Sequence, residues 1–219
     1  MKLPSRKPRD RKPLSRRRIA DEALALIDEE GIEACSMREL GRRLGVEAMA
    51  IYHHFKNKGE LLDGVVERLV EELVLPESDE PLERLRKNMC SFRAVAINHP
   101  RAFVLLAMRR FNSESNFVFY DKLLLTFSEL GLSAQDSARW FRLIGGYVIG
   151  AGLAEVASRE LNEDATPLLL EHAPTGIAFE RIRAVSEHLK VAALEQAFEF
   201  SLDILFNALL RHIQESKRH

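Results

Sequence analysis

Only two cysteines occur in the 219 residues, Cys35 and Cys90, far apart and each within a helical pattern. A disulfide framework is thereby excluded, and a reducing, cytoplasmic setting is expected. Long apolar runs are also missing. The stretch with least charge, residues 143–154 (LIGGYVIGAGLA), is shorter than the roughly 20 residues needed to span a bilayer. No hydrophobic segment follows the basic N-terminus, so neither a secretory signal nor a membrane partner is expected. Nucleotide and nucleophile loops are absent as well. Gly150-Ala151-Gly152 lacks a third glycine and a preceding strand, and neither a P-loop nor G-x-S-x-G occurs. His53 and His54 are adjacent, so on a helix they diverge, whereas metal ligands on one helix face need i, i+3 or i+4 spacing. No catalytic residue, metal or cofactor is assigned.

What is present is an uneven charge. The whole chain carries −1. Residues 1–18 hold nine basic groups against one acid, Asp10, a net +8. Residues 1–58 carry +5 and the remaining 161 carry −6. A basic end on an acidic body is the pattern of a phosphate-binding module joined to one that does not bind phosphate. Pro4, Pro8 and Pro13 mark residues 1–14 as a disordered basic arm, which can order in a DNA minor groove.

The basic end contains SMRELGRRLGVEAMAIYHHFKNK, residues 36–58. Ser36 is placed to cap a helix in which Met37, Leu40 and Leu44 form a one-sided stripe at i, i+3 and i+7. Gly41 permits close approach of a neighbour, and Gly45 tolerates the left-handed conformation that ends a helix. Val46, Ile51 and Phe55 then point back into a small core. Glu47, Ala48, Ala50, Tyr52, His53 and His54 are left on the outside. This is a helix-turn-helix, whose second helix enters the major groove of DNA. Before it, Ser15 caps a helix with Ile19, Ala23, Leu26 and Ile27 inward, closed by Gly31. After it, Asn57 or Lys58 opens a longer helix with Leu61, Leu62, Val65, Val66, Leu69 and Leu73 buried, stopped by Pro76.

The chain reads as all-α throughout: a three-helix DNA-binding head at residues 15–60 and a larger helical ligand-binding and dimerisation body at 61–219. Their boundary lies inside the fourth helix, a candidate lever arm. In the body, helices are expected at Pro81–Asn98, Arg101–Phe111, Asn116–Leu130 and from Ser133 to about Ala157. FVFY at 117–120 also suits a strand but has no partner strand nearby. Residues 158–176 are punctuated by Asn162, Pro167, Pro174 and Gly176 and read as irregular. A short helix near 179–189 precedes the last, where Val191, Leu194, Phe198, Leu202, Leu205 and Leu209 recur at three and four residues. The helices near 136–157 and 191–211 are apolar over wide faces, and a homodimer through them is expected. The rival reading is an all-helical ligand carrier or enzyme with an incidental helix-turn-helix, which the charge split opposes. Salt-sensitive retention on DNA or heparin separates the two.

The run A-L-x-L-I-x-E-x-G-I-E from Ala23, then S-M-R-E-L-G-R-R-L-G-V, then I-Y-H-H-F-K-N-K-x-E-L-L-D, resembles the DNA-binding head of the tetracycline repressor (TetR) family. RKNMCSFRAVAINHPR and the glycine-rich and final helices resemble the body of the tetracycline repressors themselves. The resemblance implies an all-helical homodimer that binds double-stranded, palindromic operator DNA and releases it when a small-molecule effector enters the body. It implies that Ser36, Arg38, Glu47, Ala48, Met49, Ala50, Tyr52, His53, His54 and Lys58 form the DNA-binding set. Arg38 and residues 47–50 face base edges, and Tyr52, His53, His54 and Lys58 meet bases or phosphates. Asn88 and Phe92 match drug-touching positions of the subfamily. Its other polar drug and metal contacts fall on Val74, Leu106 and Arg109, and neither Val74 nor Leu106 can ligate magnesium. The expected pocket is therefore apolar: Phe92, Phe103, Leu106, Phe111, Phe127, Trp140 and Tyr147, with Asn88, His99 and Arg109 as polar groups.

Overall fold

The computed structural model describes residues 13–76, 80–109, 113–159 and 179–216. Residues 1–12 of the arm, Phe111 and residues 160–176 of the expected irregular connection lie outside the described set. Among the described residues there are ten α-helices and no strand. They are α1 Arg16–Glu30, α2 Met37–Leu44, α3 Ala48–Tyr52, α4 Lys58–Glu71, α5 Pro81–Asn98, α6 Val104–Met108, α7 Glu114–Glu129, α8 Ala134–Arg159, α9 Glu180–Ser186 and α10 Leu194–Ser216. None is long and apolar enough to cross a membrane.

Local chemistry sets the boundaries of the head. The Ser15 hydroxyl accepts the Arg18 N–H, Ser36 that of Glu39 and Asn57 that of Glu60, so each of α1, α2 and α4 opens on a side-chain cap. Glu60 returns a bond to the Lys56 N–H at 2.6 Å, completing a reciprocal cap at the entry to α4. Ile19, Ala23, Leu26 and Ile27 of α1 and Leu61, Val65 and Leu69 of α4 are fully buried where the two helices pack. The five-residue α3 is too short to persist alone. Burial of Ile51 contributes about 1.5–3 kcal/mol towards holding it. Gly41 lets the turn fold back on α2. A β-carbon there would lie 2.9 Å from the Val46 carbonyl oxygen and 3.2 Å from the Ala48 nitrogen.

α4 leaves the head and packs also on α6 and α7 of the body. The body centres on α5 against α8, with Leu85, Met89, Val95 and Val148 buried between them. Two differences from expectation are local. The helix expected from Arg101 begins at Val104. Residues 101–103 form a turn instead, in which the Phe103 N–H donates to the His99 carbonyl at 2.8 Å. The last α-helix begins at Leu194, because the extended Lys190 (ψ 153°) interrupts the pattern before a single 3-10 turn at Val191–Ala193. Phe117 to Tyr120 lie in α7, since α5 and α8 offer that stretch helical faces and no strand edge.

Candidate functional site

The residues expected to face DNA are all at least partly exposed on the head. Ser36, Arg38, Glu47, Met49, Tyr52 and His53 are exposed, and Ala48, Ala50, His54 and Lys58 are half-buried. Met49, at 66% exposure, is the most prominent apolar side chain on α3. The Arg16 guanidinium lies 4.1 Å from the centre of the Phe55 ring and donates to the His54 carbonyl at 2.8 Å. It thereby pins the end of α3 to α1. The Lys58 ammonium donates to the Ile32 carbonyl at 2.9 Å, which fixes it at the entry of α4 and leaves two of its three protons for an anion. Lys56, two residues before Lys58, is a further exposed cation. The sequence signal was the K-N-K run itself, in which Lys58 alone had been assigned a role.

A cavity of about 230 Å³ opens between α5, α7 and α8. Asn88, Phe92 and Leu106 line it as expected, and so does Phe127. The rest of the wall comes from residues not assigned to it from sequence, among them Phe119, Tyr120, Leu123, Phe141, Arg142 and Ile149. Five expected lining residues lie elsewhere: Phe103, Trp140, Tyr147, Arg109 and His99. Phe103 is fully buried in the space left by Gly152. Trp140 stands edge-on to His212, with centroids 6.0 Å apart, and Tyr147 stacks on Phe198, also at 6.0 Å. A helix turns about 100° per residue, so Trp140 and Tyr147 share the α8 face that meets α10 while Phe141 and Val148 face the cavity. Burial raises the Tyr120 hydroxyl above its ordinary pKa and keeps it neutral.

Arg109 is the fourth. It caps α6, and its guanidinium donates to Asp63 at 2.6 Å and to the Gly59 carbonyl at 2.8 Å, both on α4. Three residues earlier Leu106 is cavity wall, so one short helix joins the cavity to the first turns of α4. A second link reaches the other end. The buried Asn88 donates from its amide to the Val74 carbonyl at 3.1 Å, and the Val74 N–H donates to the Ser91 hydroxyl at 3.0 Å. The Ser91 hydroxyl in turn donates to the Asn88 carbonyl at 2.6 Å.

His99 forms a third junction between head and body, outside the cavity. Its Nδ1 lies 2.6 Å from Asp28 of α1 and its Nε2 3.1 Å from Glu72 at the end of α4. Arg101 donates beside them to the Asp28 and Glu29 carbonyls. The Asp28 hydrogen bond, reinforced by both carboxylate charges, raises the His99 pKa above its ordinary value of 6.5. A raised folded-state pKa gives stability that is fully present below about pH 6.5 and lost as pH rises through the folded value. Urea midpoints of the wild type and His99→Gln should therefore differ most at about pH 6 and converge in alkali. A gap of about 1 kcal/mol is expected, after discounting for solvent screening. A gap that widens with pH would mean the imidazole is neutral in the folded protein.

The model of the tetR family of bacterial regulatory proteins matches residues 19–65. That of the tetracyclin repressor-like C-terminal domain matches residues 75–212. The tetracycline repressor protein class G of Vibrio anguillarum is 28% identical over 187 residues, covering 83% of this chain and 87% of that relative. Apo ActR from Streptomyces coelicolor has the same fold, with a TM-score of 0.78 at 24% identity, covering 94% of this chain and 99% of that one. ActR in complex with actinorhodin gives 0.72 at 23% identity, covering 92% and 99%. With a helix-turn-helix head, an apolar body cavity and family matches over both, the chain belongs to the TetR family and is a ligand-responsive DNA-binding transcriptional regulator.

Proposed function

We propose that this regulator acts in the cytoplasm as a homodimeric repressor that leaves a palindromic operator when a small apolar molecule fills the body cavity. The observation that carries this reading is the double attachment of α4 to the cavity wall, through Leu106 and Arg109 at its start and through Asn88 and Val74 at its exit. A ligand that displaces α6 or competes for the Asn88 amide acts on both ends of the helix that carries the head. Such a ligand moves the equilibrium only by binding one arrangement of α4 better than the other. ActR is solved in complex with actinorhodin, which supports a small molecule in a body of this fold. Leu106 in the wall argues for an effector other than a magnesium–tetracycline complex. No catalysis is proposed.

The homodimer is supported by apolar surface on the two helices singled out from sequence. Leu143 on α8 and Phe200, Ile204 and Leu210 on α10 are 37–66% exposed. The division into an arm at 1–14, a head at 15–60 and a body from 61 belongs to the same proposal, with the arm adding phosphate or minor-groove affinity.

In the head, Arg38 and residues 47–50 read base edges, while Tyr52 and Lys58 hold phosphates. Footprinting is expected to show two half-sites about one helical turn apart or slightly more. Lys58→Ala should weaken binding to every sequence and lower the salt slope by about one unit, whereas Met49 substitutions change the preferred operator. A monomer protecting a single half-site would refute the dimeric reading. For the cavity link, Asn88→Leu is expected to keep operator binding and to raise the effector concentration for release at least about tenfold, the loss of roughly 1.4 kcal/mol of coupling. Mobility shifts with increasing effector would detect it, and an unchanged release curve would remove Asn88 from the relay.

A further inference from the structure

We propose that the effector carries one acidic group at the end of its apolar body, and that Arg142 at the mouth of the cavity selects it. This rests on the reading of the cavity as the effector site. Three polar side chains reach the cavity: Asn88, Tyr120 and Arg142. The Asn88 amide nitrogen is already bonded to the Val74 carbonyl. The Tyr120 hydroxyl stays neutral because burial opposes its ionisation. Among the described residues Arg142 is the one cation in the wall, and the other lining groups are apolar or glycine.

Among the described residues, the surroundings of Arg142 leave its charge available. On α8 the positions three and four residues away are Ala138, Arg139, Gly145 and Gly146, so no carboxylate stands at ion-pairing distance along the helix. The two acids of α8 are engaged, Asp136 with Arg139 at 2.9 Å and Glu155 with Arg93 at 3.0 Å. Among the described residues Arg142 itself makes no ion pair or hydrogen bond, while most arginines of α5 and α8 do. It is exposed on one side and forms cavity wall on the other. One turn along α8, a β-carbon on Gly145 or Gly146 would meet nothing within 4 Å, so the cavity wall next to Arg142 in the helix has open space before it. A planar guanidinium next to apolar walls favours a carboxylate, sulfonate or phenolate through paired, charge-assisted hydrogen bonds, and a neutral ligand of the same shape forgoes them.

The test compares two fluorescent probes with one aromatic body, 8-anilinonaphthalene-1-sulfonate and the uncharged N-phenyl-1-naphthylamine, titrated into the full-length protein. The wild type should bind the sulfonate at least about tenfold more tightly, as expected for a charge-assisted pair near an apolar wall. Arg142→Gln should erase that preference and leave the uncharged probe unaffected. Gly145→Leu, whose β-carbon meets nothing within 4 Å and whose branched end then occupies the cavity, should abolish binding of both. Equal affinities in the wild type, or a preference that survives Arg142→Gln, would overturn the proposal. So would sulfonate binding that survives Gly145→Leu, since the anion would then sit elsewhere. Operator release by the sulfonate is measured separately by mobility shift. A charge preference without release refutes the effector role of the cavity and leaves its acid selectivity standing.

Discussion

Gly41→Val is expected to abolish specific operator binding, with a loss of at least about a hundredfold, while the body keeps its fold. Gly41 is on the face of α2 against which the turn closes. A β-carbon at this position already meets backbone atoms of Val46 and Ala48 within 3.2 Å, and valine adds two methyl groups. Those neighbours are main chain and cannot rotate away. The Val46 N–H also donates to the Gly41 carbonyl at 2.9 Å, so the turn is tied to the residue that would displace it. Relief requires α3 to tilt or withdraw, at a typical overpacking cost of about 1–3 kcal/mol. A tilted α3 carries Met49 and Tyr52 out of register with a groove that tolerates little misplacement. The check is a mobility shift on the operator beside far-ultraviolet circular dichroism and probe binding by the body cavity. Retained operator affinity would show that the turn has slack that the static geometry does not reveal.

Gly152→Leu should destabilise the body by a similar mechanism and lower its melting temperature by about 5–10 °C, given about 2–4 °C per kcal/mol for a chain of this size. Any β-carbon on Gly152 would overlap the Phe103 ring and stand 3.2 Å from that of Ala96. The ring is fully buried where α5, α6 and α8 meet, so it has nowhere to move. Because α6 carries Leu106 and Arg109, a displaced Phe103 would also disturb the link between cavity and α4. Gly145→Ala is the control. Its added methyl meets nothing within 4 Å, and alanine favours the helix, so its melting temperature should hold or rise. Equal losses in both variants would point to a general intolerance of α8 to side chains. The expected loss in Gly152→Leu alone would locate the constraint at the Phe103 ring.

Glycine, serine and the spacing of leucines were enough to read the head from sequence. Ser15 and Ser36 cap because a hydroxyl one residue before a helix can take an otherwise unpaired N–H, and Gly31 and Gly45 end helices at φ values of 91° and 67°. Both are nearest-neighbour effects, legible wherever the residues occur. Periodicity likewise predicted the inward faces of α1, α4 and α10, since one stripe faces one core. The cavity was a different matter. Asn88, Phe92, Leu106 and Phe127 were identified, while Phe103, Trp140 and Tyr147 were assigned to a space that they do not reach. α8 touches α5, α7 and α10, so it has more than one buried face, and an aromatic on any of them gives the same periodic signal. Which face encloses empty space depends on how three helices diverge, and that divergence is set by contacts between residues far apart in the chain. Arg109 met the same limit: only the folded chain brings it to Asp63, 46 residues earlier, and so makes it a strut to α4 instead of cavity wall. Sequence alone determined the helices of the head and their caps, because those depend on local geometry. The tertiary structure decided which side chains line the cavity and how its wall is tied to α4, because both depend on distances between helices.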